Sequence, residues 1–258
     1  MTDFVRTSID SGVLRLTLNR PDKKNALTND MYGALATALT NAEADDAIRA
    51  VLFDAEGDAF TSGNDLGDFA AVAAGKLSRE QMNSGKFLDA IARAQKPYVA
   101  AVSGLAVGVG VTMLLHCDMV FVADDATLST PFVNLALVPE AASSWLLPAR
   151  IGHARAYAMF ALGEPIDGRT AAAIGLANAA LPKNEVRARA FAAAKTLATR
   201  PLGSLKATKQ LMRDAAAIQA VMNRENEVFV TRLKTAEAVE ALRAFAERRA
   251  PDFSKITG

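Results

Sequence analysis

Read for the alternation of apolar and polar positions, the chain opens on two short strands. VLRLTLN, from Val13, alternates the two classes, and Ser11-Gly12 just before it has the composition of a tight turn. A polar loop, NRPDKKNALT, ends at Thr28, which is placed to cap a helix from about Asn29 to Ala44. Within that helix Met31, Leu35 and Leu39 recur at helical spacing, and Asp30 lies in the first turn, where the helix dipole favours negative charge. AVLFDA (50–55) is a continuous apolar run, the pattern of a strand buried on both faces. The rhythm then repeats. A helical stretch through Phe87, Ile91 and Ala94 leads past Pro97 to YVAAV (98–102), and a glycine-interrupted helix over about 107–116 leads to DMVFVA (118–123). Buried strands separated by helices imply right-handed crossovers and a mostly parallel sheet.

From about Ser143 the pattern is helical, apart from LANAALP (176–182), which reads as one more strand or an extended piece. Pro201 separates two helices, and Thr235 is placed to cap the last one, with Glu237 just inside. The helices beyond Pro201 carry apolar faces and no sheet to cover. Such a tail suits packing on a partner subunit, so the chain divides into a core over 1–200 and a helical region over 201–258.

Composition narrows the class. A length of 258 residues allows one large domain or a domain with a helical appendage. With 51% hydrophobic and 22% charged residues a substantial core can be buried, which argues against disorder. The 29 basic and 28 acidic residues leave a net charge of +1, without the excess that a nucleic-acid face requires. Cys117 is alone, so no internal disulfide forms, and a reducing compartment fits. MTDFVRTSID lacks the basic-then-apolar pattern of a secretion signal, no apolar run reaches the length of a membrane span, and KITG is not a retention or peroxisomal address. The expectation is a cytoplasmic protein with no membrane partner.

Two of the strand-to-helix transitions carry candidate chemistry. Ser62-Gly63-Asn64 and Gly108-Val109-Gly110 each fall where the first backbone N–H groups of a helix lack acceptors. Two such points converging would offer two donors and aligned dipoles to a carbonyl oxygen acquiring negative charge. Taken singly, each of these glycines reads better as an ordinary turn or packing glycine. No metal cluster or P-loop is present, and the Gly108-x-Gly110 pair lacks the third glycine and downstream acid of a dinucleotide fingerprint.

Three segments, AFTSGNDLGDF (59–69), AVSGLAVGVGVTMLLHCDMVFVADD (101–125) and STPFVNLALVPEAASSWLLPARIG (129–152), together with NRPDKKNALT, resemble in order and spacing the signatures of the enoyl-CoA hydratase/isomerase (crotonase) superfamily. The resemblance runs from about residue 12 to 182. It implies an α/β fold, the crotonase (ClpP-like) spiral of ββα units with a C-terminal helical oligomerisation region, assembled as a homotrimer or dimer of trimers. It also implies an acyl-CoA thioester substrate, with coenzyme A part of that substrate and no separate cofactor. The oxyanion donors carry over to the backbone N–H groups of Asn64 and Val109. The backbone of Ala26 and the 62–66 loop (Ser62, Gly63, Asn64, Asp65, Leu66) would hold the adenine and pantetheine portion. Lys24 matches a position that contacts the CoA phosphates, or is a solvated loop lysine. Asp65 reads more as a brace for that loop than as a chemical group.

The carboxylates separate the reactions. Hydratases of this superfamily use two glutamates, and their positions fall here on Thr112 and Phe132, neither of which can act as an acid or base. Glu140 lies eight residues beyond Phe132, in VPEAASSWLLP, and this stretch resembles peroxisomal-type Δ3,Δ2-enoyl-CoA isomerases, in which a single glutamate moves a proton from C2 to C4. Its alternative role is a first-turn glutamate stabilising a helix that starts near Ala141. Apolar surroundings would raise its pKa and a helix N-terminus would lower it. Asn83 is the candidate for orienting it. Phe69, Phe87, Phe132 and Trp145 are either acyl-pocket lining or core, while His116, His153, Cys117 and Asp118 read as structural. The runners-up are a 2-enoyl-CoA hydratase and a non-catalytic acyl-CoA-binding protein.

Overall fold

The computed structural model describes residues 2–65, 67 and 81–256. The expected opening hairpin is β1 (Val5–Asp10) and β2 (Val13–Leu18), antiparallel about the Ser11-Gly12 turn, with both turn residues at positive φ. Thr28 accepts a hydrogen bond from the Met31 N–H and caps α1 (Asn29–Ala44).

The chain then runs through three strand pairs, each placing its first strand in one sheet and its second in another. These pairs are β3 (Ala50–Ala55) with β4 (Ala59–Thr61), β5 (Tyr98–Val102) with β6 (Leu105–Val107), and β7 (Met119–Ala123) with β8 (Thr127–Ser129). Helix α2 (Ser84–Ala92) precedes the second pair. The one-turn helix α3 (Val109–Thr112) follows it and tightens into a 3₁₀ turn over Met113–His116. After β8 come α4 (Ser143–Ile151), α5 (His153–Ala161), the short β9 (Ile166–Asp167), α6 (Gly168–Ala173) and β10 (Ala179–Leu181). Four α-helices follow, α7 (Lys183–Ala198), α8 (Leu202–Met212), α9 (Ala215–Leu233) and α10 (Ala236–Ala246), and a 3₁₀ turn over Phe253–Lys255 comes after them.

The larger sheet has the order β1-β2-β3-β5-β7-β10 and is parallel except at the opening hairpin; the smaller has the order β4-β6-β8-β9. This is the repeated strand–strand–helix arrangement of the crotonase fold. β5 and, apart from the buried Asp54 that pairs with Arg15, β3 are apolar because they are central, with α7 lying across β3, β5 and β7. The sequence pattern located the strands of the larger sheet but not those of the smaller one as separate elements. At two or three residues, β4, β6, β8 and β9 are too short to show a period of their own. Thr235 caps α10 as expected, accepting from the Ala238 N–H. Among the described residues no helix is long and apolar enough to cross a membrane.

The last helices are tied to the core by charged groups. Lys209 of α8 is 8% exposed. Its Nζ donates to the Lys96 carbonyl at 2.9 Å and to Asp118 Oδ2 at 2.8 Å, and lies 4.7 Å from the centre of the Tyr98 ring. The same Asp118 oxygen accepts the Tyr98 N–H, so the carboxylate joins the start of β5 to α8, the structural role its position suggested. Removing one partner of a buried ion pair costs about 3–5 kcal/mol, and exposure of Asp118 reduces that figure. Lys209→Met is therefore expected to lower stability by about 2–3 kcal/mol in urea unfolding at neutral pH, and a variant as stable as the parent would show that this anchor contributes nothing.

Candidate active site

The loop before α1 and the strand end at β4 form one unit. Buried Asn25 donates from its amide to the carbonyls of Glu56 and Ala59 (2.8 and 2.7 Å), and Thr61 Oγ1 donates to the Asn25 carbonyl at 2.7 Å. Beyond this, Ser62 N–H donates to Lys24, Leu27 N–H to Gly63, and Asp65 N–H to Leu27. These bonds lay residues 24–27 alongside 62–65.

Two glycines then set the approach of neighbouring strands. Gly63 has φ +92°, and a β carbon there would lie 3.0 Å from the Val107 carbonyl oxygen; one on Gly110 would lie 2.5 Å from Thr61 Cγ2. Only residues without a β carbon let the ends of the parallel strands β4 and β6 meet this closely. Asn64 and Val109 follow directly. The bridge to Leu27 uses the Gly63 carbonyl and the Asp65 N–H on either side of Asn64, and Val109 opens α3. Neither the Asn64 nor the Val109 N–H has a hydrogen-bond partner among the described residues. Two free donors thus sit just past the C-terminal ends of adjacent parallel strands, where open α/β sheets bind ligands.

Thr112 closes the turn of α3 that Val109 opens. Fully buried, its hydroxyl donates to Glu140 Oε1 at 2.5 Å. A separation of three helical residues is about 4.5 Å along the axis, so the Val109 N–H and the hydroxyl that holds the Glu140 carboxyl belong to one short helix. Burial pushes the Glu140 pKa up to about 7; the Thr112 hydrogen bond pulls it down, and the negative charge of Glu225 pushes it up. Desolvation is the largest of these effects. Glu140 does not serve as a first-turn residue of α4, which begins three positions later, and the Glu140 carboxyl turns instead to Thr112.

The N-terminus of α4 is capped from α9. Glu225 accepts the Ala142 N–H on one oxygen (2.6 Å) and the Ser144 N–H on the other (2.8 Å). Leading into this cap, Ala141 and Ala142 both lie in the left-handed region, φ 59° and 57°, at a cost of about 1–2 kcal/mol for each residue with a β carbon. The Ala141 carbonyl accepts from His116 Nε2 at 2.8 Å, and Arg213 donates to His116 Nδ1 and, at 3.2 Å, to the His116 carbonyl. That arrangement needs a neutral ring with its proton on Nε2. Burial, joined by the Arg213 charge, pushes the ring's pKa down to about 3.

The family model for enoyl-CoA hydratase/isomerase matches residues 8–256. The chain belongs to this family. It is similar to enoyl-CoA delta isomerase 2 of Rattus norvegicus, 35% identical over 247 residues, which are 93% of this chain and 62% of the rat protein. It is also similar to a probable enoyl-CoA hydratase of Rhodobacter capsulatus, 32% identical over 252 residues and 97% of either chain. Among solved structures, an enoyl-CoA hydratase/isomerase from Pseudoalteromonas atlantica superimposes with a TM-score of 0.92 at 42% identity, covering 97% of this chain and all of that one.

Within this crotonase-family framework most of the anticipated residues come together. Lys24, Ala26, Ser62, Gly63, Asn64 and Asp65 share one loop pair, while Leu66 and Phe69 lie outside the described residues, as does the helix expected after Asn64. Lys24 is exposed with φ 50°. Asp65 braces its loop through Arg20 (2.6 Å) and the Gly67 N–H (2.9 Å); burial works to raise its pKa, but these bonds and the Arg20 and Lys23 charges hold it below the usual value. Asn83 does not orient Glu140. It bonds to Asn29 and Lys86, and Thr112 takes the orienting role. Phe87 packs on Tyr32 and Phe132 on Phe160 as core, whereas Trp145 is 44% exposed. Burial pushes the Cys117 thiol up to about 12, in keeping with an inert core cysteine.

Sequence reasoning missed Thr112 as a donor, along with His116, Arg213 and Glu225 as supports. One signal for Glu225 was present: it continues the spacing of Ile218 and Met222, the other buried residues of α9. Because the Thr112 hydroxyl favours the charged form of Glu140, Thr112→Val is expected to raise the pKa of Glu140 above that of the parent. Carboxyl-labelled NMR, with Glu140→Gln to assign the signal, measures it, and an unchanged or lower value would contradict the assigned donor.

Proposed function

We propose that the protein is a Δ3,Δ2-enoyl-CoA isomerase in which Glu140 is the one acid/base group. The observation that carries this reading is the Thr112–Glu140 hydrogen bond, which places a desolvated carboxyl with a pKa near 7 one helical turn from the free Val109 N–H. A 3-enoyl-CoA binds with its thioester oxygen on the N–H groups of Asn64 and Val109. Glu140, ionised, removes a proton from C2; the electron pair delocalises through the thioester and the double bond as a dienolate, with the negative oxygen held by the two donors. The same carboxyl, now protonated, returns the proton to C4, and the double bond comes to rest between C2 and C3. One carboxyl suffices because the proton leaves and returns within a single substrate.

Hydration asks for more, since one group must activate water while the α carbon is protonated. Thr112 and Phe132 stand where a hydratase would carry its glutamates, and Glu225 is committed to two backbone N–H groups. The loop of Lys24 and Ala26 beside Ser62, Gly63 and Asp65 would hold the CoA portion, with Asp65 acting through its brace to Arg20.

Turnover of 3-hexenoyl-CoA is expected to exceed hydration of crotonyl-CoA, and Glu140→Gln is expected to lower isomerisation by about 10²–10⁴-fold. In the parent the rate rises with pH through about 7, because the base must be ionised. Full isomerase activity in Glu140→Gln would sink this mechanism, and hydration that survives the substitution would point to a different residue and reaction.

The tail over 201–258 is proposed as the oligomerisation region. Leu211 and Met212 at the end of α8 are 90% and 83% exposed, and Val239 and Phe245 on α10 project similarly. Sedimentation is expected to give a particle of three or six chains, and a monomer at micromolar concentration would refute the assignment.

A further inference from the structure

We propose that Glu225 is a positioning residue for Glu140: its carboxylate, reaching from α9, holds the left-handed Ala141-Ala142 turn that aims the Glu140 side chain at the substrate. The inference rests on the reading of Glu140 as the base. Two consecutive alanines with positive φ have no intrinsic reason to stay there, so something outside the turn must hold them. Two contacts do. Glu225 takes the N–H of Ala142 and of Ser144, one on each carboxylate oxygen, and His116 takes the carbonyl of Ala141. The turn is thus gripped on its donor side from α9 and on its acceptor side through an imidazole that Arg213 fixes. Glu140 immediately precedes the gripped pair, and its own carbonyl accepts the Ser143 N–H at 3.0 Å. Rotation of the turn would carry the carboxyl away from Thr112 and from the α3 N-terminus.

Glu225 also acts by charge. The side chains that face Glu140 are Thr112 from α3 and Glu225 from α9; Glu225 itself faces Ser144 from α4 and Arg224 from its own helix. A negative group on α9 favours the protonated form of Glu140, so loss of that charge lowers the pH at which the base becomes ionised. A helix cap that acted only on stability would do neither of these things: it would change the folded fraction and leave the turnover of folded enzyme alone.

The experiment measures kcat and KM of the full-length protein for 3-hexenoyl-CoA between pH 5 and about 9, with Glu140→Gln, Glu225→Gln, Glu225→Asp and Ala142→Gly/Glu225→Gln. Glu225→Gln is expected to lower kcat by about ten- to a hundredfold with little change in KM, the size of effect that misplacement of a reacting group produces, and to move the acid limb to lower pH. Glu225→Asp keeps the charge and shortens the reach, so it too loses kcat while the limb stays near its original place. It tests the geometry should the glutamine variant fail to fold. Ala142→Gly, which removes the β carbon that disfavours the turn, is expected to recover part of the activity lost in Glu225→Gln. Parental kcat in either single Glu225 variant would overturn the proposal, as would a loss in Glu225→Gln with neither a shifted limb nor recovery by glycine. An active Glu140→Gln would instead remove the reading on which it rests, and the two failures are separable because each has its own variant.

Discussion

Thr61 and Gly110 meet in a space too small for one more carbon, and Gly63 meets the Val107 carbonyl in the same way. This close approach of two strand ends is what the rest of the site depends on. If β4 and β6 were held apart by side chains, the N–H of Asn64 and the N–H of Val109 would still exist, but the strand ends that carry them would no longer lie side by side. The fold serves the contact by pairing β4 and β6 as parallel neighbours and by stitching Asn25 and Thr61 together behind them. Backbone donors held in this way need no reorganisation when charge develops in front of them, which is why such sites stabilise an enolate better than water can.

The same short helix imposes an electrostatic compromise on the acid. A base that removes a proton beside a thioester benefits from a pKa near the working pH, because too weak a base cannot take the proton and too strong a one cannot return it. Burial favours the protonated form of Glu140. The Thr112 hydroxyl favours ionisation, and the neighbouring Glu225 opposes it. Thr112 therefore tunes the group proposed as the base.

Much of this could be read in the chain itself. The strands of the larger sheet announced themselves as apolar runs because they are buried on both faces, and Thr28 and Thr235 marked helix starts through their hydroxyls. The short strands of the smaller sheet have no periodicity to read, and their pairing emerges only from the crossovers. Family resemblance marked Glu140 and the two N–H groups, but it could not reveal the partner of Glu140. That partner comes from 28 residues earlier in sequence, in a helix whose face depends on a 3₁₀ continuation. The left-handed Ala141-Ala142 pair was also invisible, since alanine carries no compositional hint of positive φ; the explanation lies 83 residues away, in Glu225.

The tail helices are anchored by charges where apolar contacts would have served stability at least as well. Lys209 reaches the Lys96 carbonyl and Asp118, Arg213 reaches His116, and Glu225 reaches the N–H groups of Ala142 and Ser144. Hydrophobic packing is tolerant of small slides along a helix, whereas a bidentate carboxylate on two N–H groups has essentially one geometry. Buried charges are a poor way to gain free energy but an effective way to fix register. A tail that only covered apolar surface could drift by a fraction of a turn without penalty. This one would lose its hydrogen bonds to the Glu140 loop before it had moved far, so the position of the last helices and the aim of the carboxyl are a single structural variable.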